Sequence, residues 1–233
     1  MMRQISLITL ILLATSAGAN DTVSIDFDVT ADAAACTPSL SNNGIVDFNT
    51  RNAGSLSTKA FTQLGTRDLT LTITCESSTV IAITSRDTRA ASAVSGADDR
   101  GQTGAQFGIN GGNYVSESSR LFGLGLTAEK KAIGSYAVQI NAAGVTATEG
   151  DKSVSVDVAG AASPTGPWAK ESLLPLPVNQ DYFYTFVQRG TLSPQPVSTA
   201  TVPLQVSATL ANKLNSSQMI KLDGEAVISI VYL

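Results

Sequence analysis

The chain has no histidine, two cysteines and one tryptophan in 233 residues, and aromatic residues make up only 6% of it. Without an imidazole, the Ser-His-Asp and Cys-His arrangements of nucleophilic catalysis cannot be assembled, and the usual general base near neutral pH is missing. The commonest metal ligand is missing with it, and two thiols alone make a poor metal site. Charge is sparse too: Asp, Glu, Lys and Arg together make 15% of the chain, the formal net charge is −4, and no basic run occurs. That pattern speaks against nucleic acid or anionic lipid as a partner. No enzyme activity and no cofactor are expected.

Long hydrophobic runs are also lacking. The apolar stretch Ile5 to Ala14 follows Arg3 and falls short of the roughly 20 residues that a spanning helix needs. A positive start, a short apolar core and the small-x-small triplet Ala17-Gly18-Ala19 form a signal peptide, so residues 1–19 are expected to direct export through the inner membrane and to be removed. In an exported chain an isolated cysteine pair is expected to be bridged, here Cys36 with Cys75. Closing that loop would stabilise the fold by about 4 kcal/mol in the chain-entropy model.

What the chain does have is Thr, Val, Ile, Ser and Gly in period-two alternation, without helical stripes. Strands are expected at 23–30, 45–48, 68–74, 80–85, 106–109, 121–126, 135–140, 153–158, 182–188, 203–208 and 226–232. So many short strands predict an all-β sandwich. The cleanest alternation sets Leu69, Leu71 and Ile73 on one face against Thr70, Thr72 and Thr74 on the other. Cys75 continues the inward face, which predicts a bridge between the two sheets. The segment from Gly160 to Pro177, with four prolines, reads as a surface excursion within one domain.

Motifs with chemistry are few. Asp26, Asp28 and Asp32 lack the Gly and Glu that a calcium loop requires, and they read as the solvent face of the first strand. Gly123-Leu124-Gly125-Leu126-Thr127-Ala128 matches a dinucleotide fingerprint only on paper, because no helix follows to aim at a pyrophosphate. Gly123 and Gly125 are better read as a bulge or a close backbone contact. Trp168, Tyr182 and Tyr184 are the residues that a carbohydrate could stack on, although alternation over Tyr182 to Phe186 equally suits a core-facing strand. A two-carboxylate glycosidase is the remaining enzymatic alternative, and no obvious pair of carboxylates supports it.

Both ends of the chain beyond Ala19 carry regular strands. Val23, Ile25, Phe27 and Val29 alternate with polar residues near the start, and Ala226, Ile228, Ile230 and Tyr232 share one face at the end. Together with Ala34-Ala35-Cys36, Cys75 and Val231-Tyr232-Leu233, these features resemble subunits of chaperone/usher pili. A closer resemblance is to a family of fimbrial-like proteins catalogued as a domain of unknown function. It runs through Cys36-Thr37-Pro38-Ser39-Leu40-Ser41-Asn42-Asn43-Gly44, Leu69 to Cys75, Phe122-Gly123-Leu124-Gly125 and Lys131-Ala132-Ile133-Gly134.

The resemblance implies an immunoglobulin-like, pilin-type β-sandwich over residues 31–233 that lacks its last strand, preceded by a donor-strand arm over residues 20–30. It implies donor roles for Val23, Ile25, Phe27 and Val29, and a groove edge for a chaperone at Ile228, Ile230 and Tyr232. The implied partners are a periplasmic pilus chaperone, an outer-membrane usher and neighbouring fimbrial subunits. The implied location is the periplasm and then a fimbrium on the cell surface, contributing to adhesion. The alternative from another class is a fimbrial tip adhesin or periplasmic carbohydrate-binding sandwich using Trp168, Tyr182 and Tyr184.

Overall fold

The computed structural model describes residues 36–49, 56–107, 114–214 and 220–233, and among these there is no α-helix. In chain order the strands are β1 (Cys36–Leu40), β2 (Thr62–Thr79), β3 (Ile81–Asp87), β4 (Ala105–Gln106), β5 (Tyr114–Val115), β6 (Phe122–Gly123), β7 (Gly134–Ile140), β8 (Thr146–Glu149), β9 (Lys152–Val154), β10 (Val156–Ala161), β11 (Phe183–Gln188), β12 (Val197–Leu210) and β13 (Ala226–Tyr232). They form a β-sandwich. One sheet has the order β1-β2-β12-β7-β6, with β8 pairing β12 and β9, and the other has the order β10-β11-β3-β13. A small β4-β5 pair lies apart from both.

Alternation decides what goes inside. Leu69, Leu71 and Ile73 of β2 meet Ile81, Ile83, Phe186 and Ile228 of the facing sheet in one core, and every one of these side chains is almost fully buried. Each contributes roughly 1.5 to 3 kcal/mol relative to leaving it in water. On the other face of the larger sheet, Ser39, Thr72, Thr201 and Thr146 fall into register across four strands. Thr37, Thr74, Thr199 and Thr148 make the next row. Branched hydroxyl side chains suit such cross-strand positions.

Several expected elements change when long-range pairing is supplied. The stretches 68–74 and 203–208 are the middles of β2 and β12, which pair with each other from Thr62↔Leu210 to Thr79↔Val197. Pro203 is tolerated inside β12 because it sits where β8 ends and β7 begins along the neighbouring edge, a point with no ladder donor to supply. The stretch 153–158 is not one strand. The chain crosses between sheets at Ser155, leaving β9 in one sheet and β10 in the other. Residues 45–48 form no ladder, yet Val46 and Phe48 still fill the core.

The proline-rich segment is not wholly a surface excursion. Residues Leu174 and Leu176 are buried, and the Ile140 and Leu176 amides donate to Leu174 and Val138 carbonyls across to β7. The Leu-Pro alternation keeps Pro175 and Pro177 off the donor positions of that ladder. The segment between β3 and β7 adds a second small core of Ala105, Phe107, Val115 and Leu121 over Ala137, so both faces of β7 are buried.

The disulfide between Cys36 and Cys75 is present, but it does not join the two sheets. The two residues are direct partners on neighbouring strands of one sheet, with Cα atoms 3.8 Å apart. Cys75 does continue the inward face, and both cysteines are buried. Which sheet β1 belongs to depends on pairing that alternation does not encode.

Candidate functional site

The C-terminal strand is the feature around which a site can be built. Among the described residues β13 has one neighbour, β3, and ends the four-stranded sheet. Two backbone bonds fix which of its groups point where. The Leu233 amide donates to the Val80 carbonyl at 3.0 Å, and the Thr88 amide donates to the Glu225 carbonyl at 3.2 Å. With the register Tyr232↔Ile81 to Ala226↔Asp87, residues 225, 227, 229, 231 and 233 face β3. Successive residues of a strand alternate their backbone direction, so Ala226, Ile228, Ile230 and Tyr232 present N–H and C=O groups to the other side. Their side chains meanwhile face the core, with Ile228 fully buried and Ile230 nearly so.

The strand that borders this edge from the opposite sheet is β1. The Cys36 amide donates to the Tyr232 hydroxyl at 3.0 Å. That bond shows that the Cys36 N–H points away from β2, and alternation then points Pro38 and Leu40 the same way. Pro38 therefore lacks a donor only where no β2 partner requires one. The result is a pair of edges, one per sheet, that meet at Tyr232 and Cys36.

At its other end β13 is rooted in a charged cluster. Asp87, at the end of β3, is almost fully buried and accepts N–H bonds from Gly123 at 2.8 Å and from Arg89 at 2.7 Å. The Arg89 guanidinium lies 3.3 Å from Asp223 and 3.0 Å from Glu225, and the Thr88 hydroxyl donates to the Glu225 carboxylate. The Ser92 hydroxyl donates to the Arg89 carbonyl at 2.7 Å and accepts the Gly125 N–H at 2.9 Å. Burial pushes the Asp87 carboxyl above its ordinary range, the nearby Glu225 charge adds to this, and the two N–H bonds and Arg89 only partly offset it.

Glycine at two positions makes this packing possible. A Cβ on Gly123 would lie 2.3 Å from the Arg89 carbonyl oxygen, and one on Gly224 would lie 2.7 Å from the Tyr136 ring. Gly123 is thus the close backbone contact that the sequence suggested. Tyr136 itself is fully buried and stacks on Phe122 with ring centroids 5.1 Å apart. Its hydroxyl has no hydrogen-bond partner among the described residues, and burial together with Asp87 and Glu225 raises its pKa well above the usual phenol value.

The other residues singled out in the sequence are placed as follows. Val23, Ile25, Phe27 and Val29 lie outside the described residues, as do Asp26, Asp28 and Asp32. Trp168 lines a shallow groove with Pro164, Thr165, Pro194 and the end of β13. Tyr184 is buried in the core, its hydroxyl donating to the Pro175 carbonyl at 2.8 Å. Tyr182 donates to the Glu171 carboxylate, carries the Arg120 guanidinium 4.5 Å above its ring, and has its pKa pushed up to about 12 by burial and by Glu171. The Tyr182 and Tyr184 rings meet edge to face with centroids 5.4 Å apart. No group of three acidic or cysteine side chains with metal-ligand spacing occurs among the described residues.

Sequence reading missed the Asp87 cluster, since its members are up to 138 positions apart. Only Gly123 and Gly125 hinted at close backbone contact there.

A two-sheet sandwich with an intrasheet disulfide and a C-terminal strand that has, among the described residues, a neighbour on one side only is the class that this geometry defines. Residues 27–137 match the family described as "Protein of unknown function (DUF1120)", and the chain belongs to that family. It is 52% identical over 224 residues to the uncharacterized protein YhcF of Escherichia coli (strain K12), covering 94% of each chain. It is also similar to the protein GltF of the same organism, at 28% identity over 227 residues, covering 85% of this chain and 84% of that one.

Proposed function

We propose that this protein is a structural subunit of a chaperone/usher-assembled fimbria, exported to the periplasm, that polymerises by strand donation and contributes to surface adhesion. The observation that carries the reading is the edge of β13, where Ala226, Ile228, Ile230 and Tyr232 turn their backbone groups away from β3. An edge of seven residues with buried aliphatic side chains is a template for another strand, and leaving it unpaired is costly. The stretch Val23 to Thr30 has the alternation such a strand would need.

In this reading a periplasmic chaperone covers the edge first, and the arm of a neighbouring subunit then replaces it. Burial of Val23, Ile25, Phe27 and Val29 would contribute roughly 6 to 12 kcal/mol before ordering costs.

The test uses two forms of the protein, one intact and one lacking residues 20–30, together with a synthetic peptide of residues 20–31. The intact form should give a ladder of oligomers on size exclusion. The shortened form should be monomeric or chaperone-dependent, and added peptide should raise its melting temperature. A stable monomer in both forms, with no response to peptide, would overturn the proposal.

A further inference from the structure

We propose that the Asp87 pocket is an acid-operated clamp on the root of β13, in which one proton taken up by Asp87 fastens the start of the C-terminal strand more firmly to β3 and β7. This goes beyond strand donation and does not depend on it. Four elements face the carboxyl. The turn after β3 brings Arg89, the chain before β13 brings Asp223 and Glu225, β6 brings the Gly123 N–H, and β7 brings Tyr136. The guanidinium pairs with Asp223 and Glu225, whereas Asp87 is held by the Arg89 and Gly123 backbone N–H groups and is the carboxylate shut away from water. It is therefore the carboxylate whose charge is hardest to keep.

Protonating it removes the repulsion toward Glu225 and supplies a new O–H donor. The Tyr136 hydroxyl, fully buried and without a partner among the described residues, is an acceptor at the same end of the core. Meanwhile Arg89 remains free to hold Asp223 and Glu225, both of which belong to the segment leading into β13.

The sign follows from linkage. A carboxyl whose folded pKa is raised takes up its proton on folding, so the stability it adds appears as the pH falls toward the folded pKa and is lost as the pH rises through it. Two other carboxyls act in the opposite direction. Burial works to raise Asp98, but three backbone N–H bonds, from Phe61, Arg100 and Gln102 at 2.7 to 2.9 Å, hold it below the ordinary range. Asp157 is held low by the Gly190 N–H at 2.9 Å and by Lys170 at 2.5 Å. The stability those two add is lost only below the ordinary carboxyl range, about pH 4. Asp87 acts in the other sense, the stability it adds growing as the pH falls from neutrality.

Urea unfolding of the purified protein at about pH 7.5 and about pH 5 tests this. The midpoint of the unmodified protein should rise on acidification. Asp87→Asn should remove that rise. Tyr136→Phe should keep the neutral midpoint and lose part of the gain in acid. Should Asp87→Asn fail to fold, Glu225→Gln provides the second reading, because removing the like charge should shrink the rise. A midpoint that stays level or falls between the two conditions in the unmodified protein would overturn the clamp. So would an undiminished rise in Glu225→Gln and Tyr136→Phe.

Discussion

At its start β13 is held by the cluster of Arg89, Asp87, Asp223 and Glu225, whereas at its end the Tyr232 hydroxyl reaches across to Cys36 beside a covalent bond. Between these two anchors the strand turns its backbone groups toward a side that has no partner among the described residues. The contrast teaches that an edge strand can be kept in place without a second neighbour if both of its ends are fixed. One anchor responds to pH, and the other responds to redox conditions.

Three variants break or sharpen this comparison. The largest effect is expected at the end beside Cys36. Replacing Cys36 and Cys75 by alanine should lower stability by about 4 kcal/mol, since 39 positions separate them and the unfolded chain gains that loop's freedom. Urea unfolding reads this directly, and a loss below about 1 kcal/mol would mean that the ladder of β1 on β2 suffices without the bond.

A smaller loss is expected at the start of β13. Gly224→Ala pushes a methyl into the Tyr136 ring and should cost about 1 to 3 kcal/mol, visible as a lower calorimetric melting temperature. The smallest belongs to Tyr232→Phe. It leaves the Cys36 N–H without its acceptor, and should cost about 1 kcal/mol. Amide exchange at Cys36 should accelerate in this variant while exchange at Asp87 stays as it was, which separates the two anchors experimentally.

Legibility in the sequence followed the range of the interactions. The bounds of β13 were read from alternation alone, because Ala226 to Tyr232 carries a full inward row and no Gly or Pro interrupts it. The Leu69, Leu71 and Ile73 face was equally plain, and so was the cysteine pair. The true lengths of β2 and β12 were hidden, since Thr62 to Arg67 is strand only because β12 lies beside it. The crossing at Ser155 was hidden for the same reason, as local alternation carries no sign of which sheet a residue joins. The aromatic residues show the converse. Tyr184 and Trp168 look alike as candidates for stacking, yet one fills the core and the other lines the surface.

The placement of the disulfide has a mechanical consequence. Cys36 is the first residue of β1 and its bond leads at once into β2, the longest strand, which runs against β12 over most of its length. A pull on the chain ahead of Cys36 therefore bypasses the hydrogen bonds of β1 and is shared along the β2-β12 ladder. Tension entering at that point loads the ladder along its strands, where many bonds must yield together, instead of peeling the edge one residue at a time.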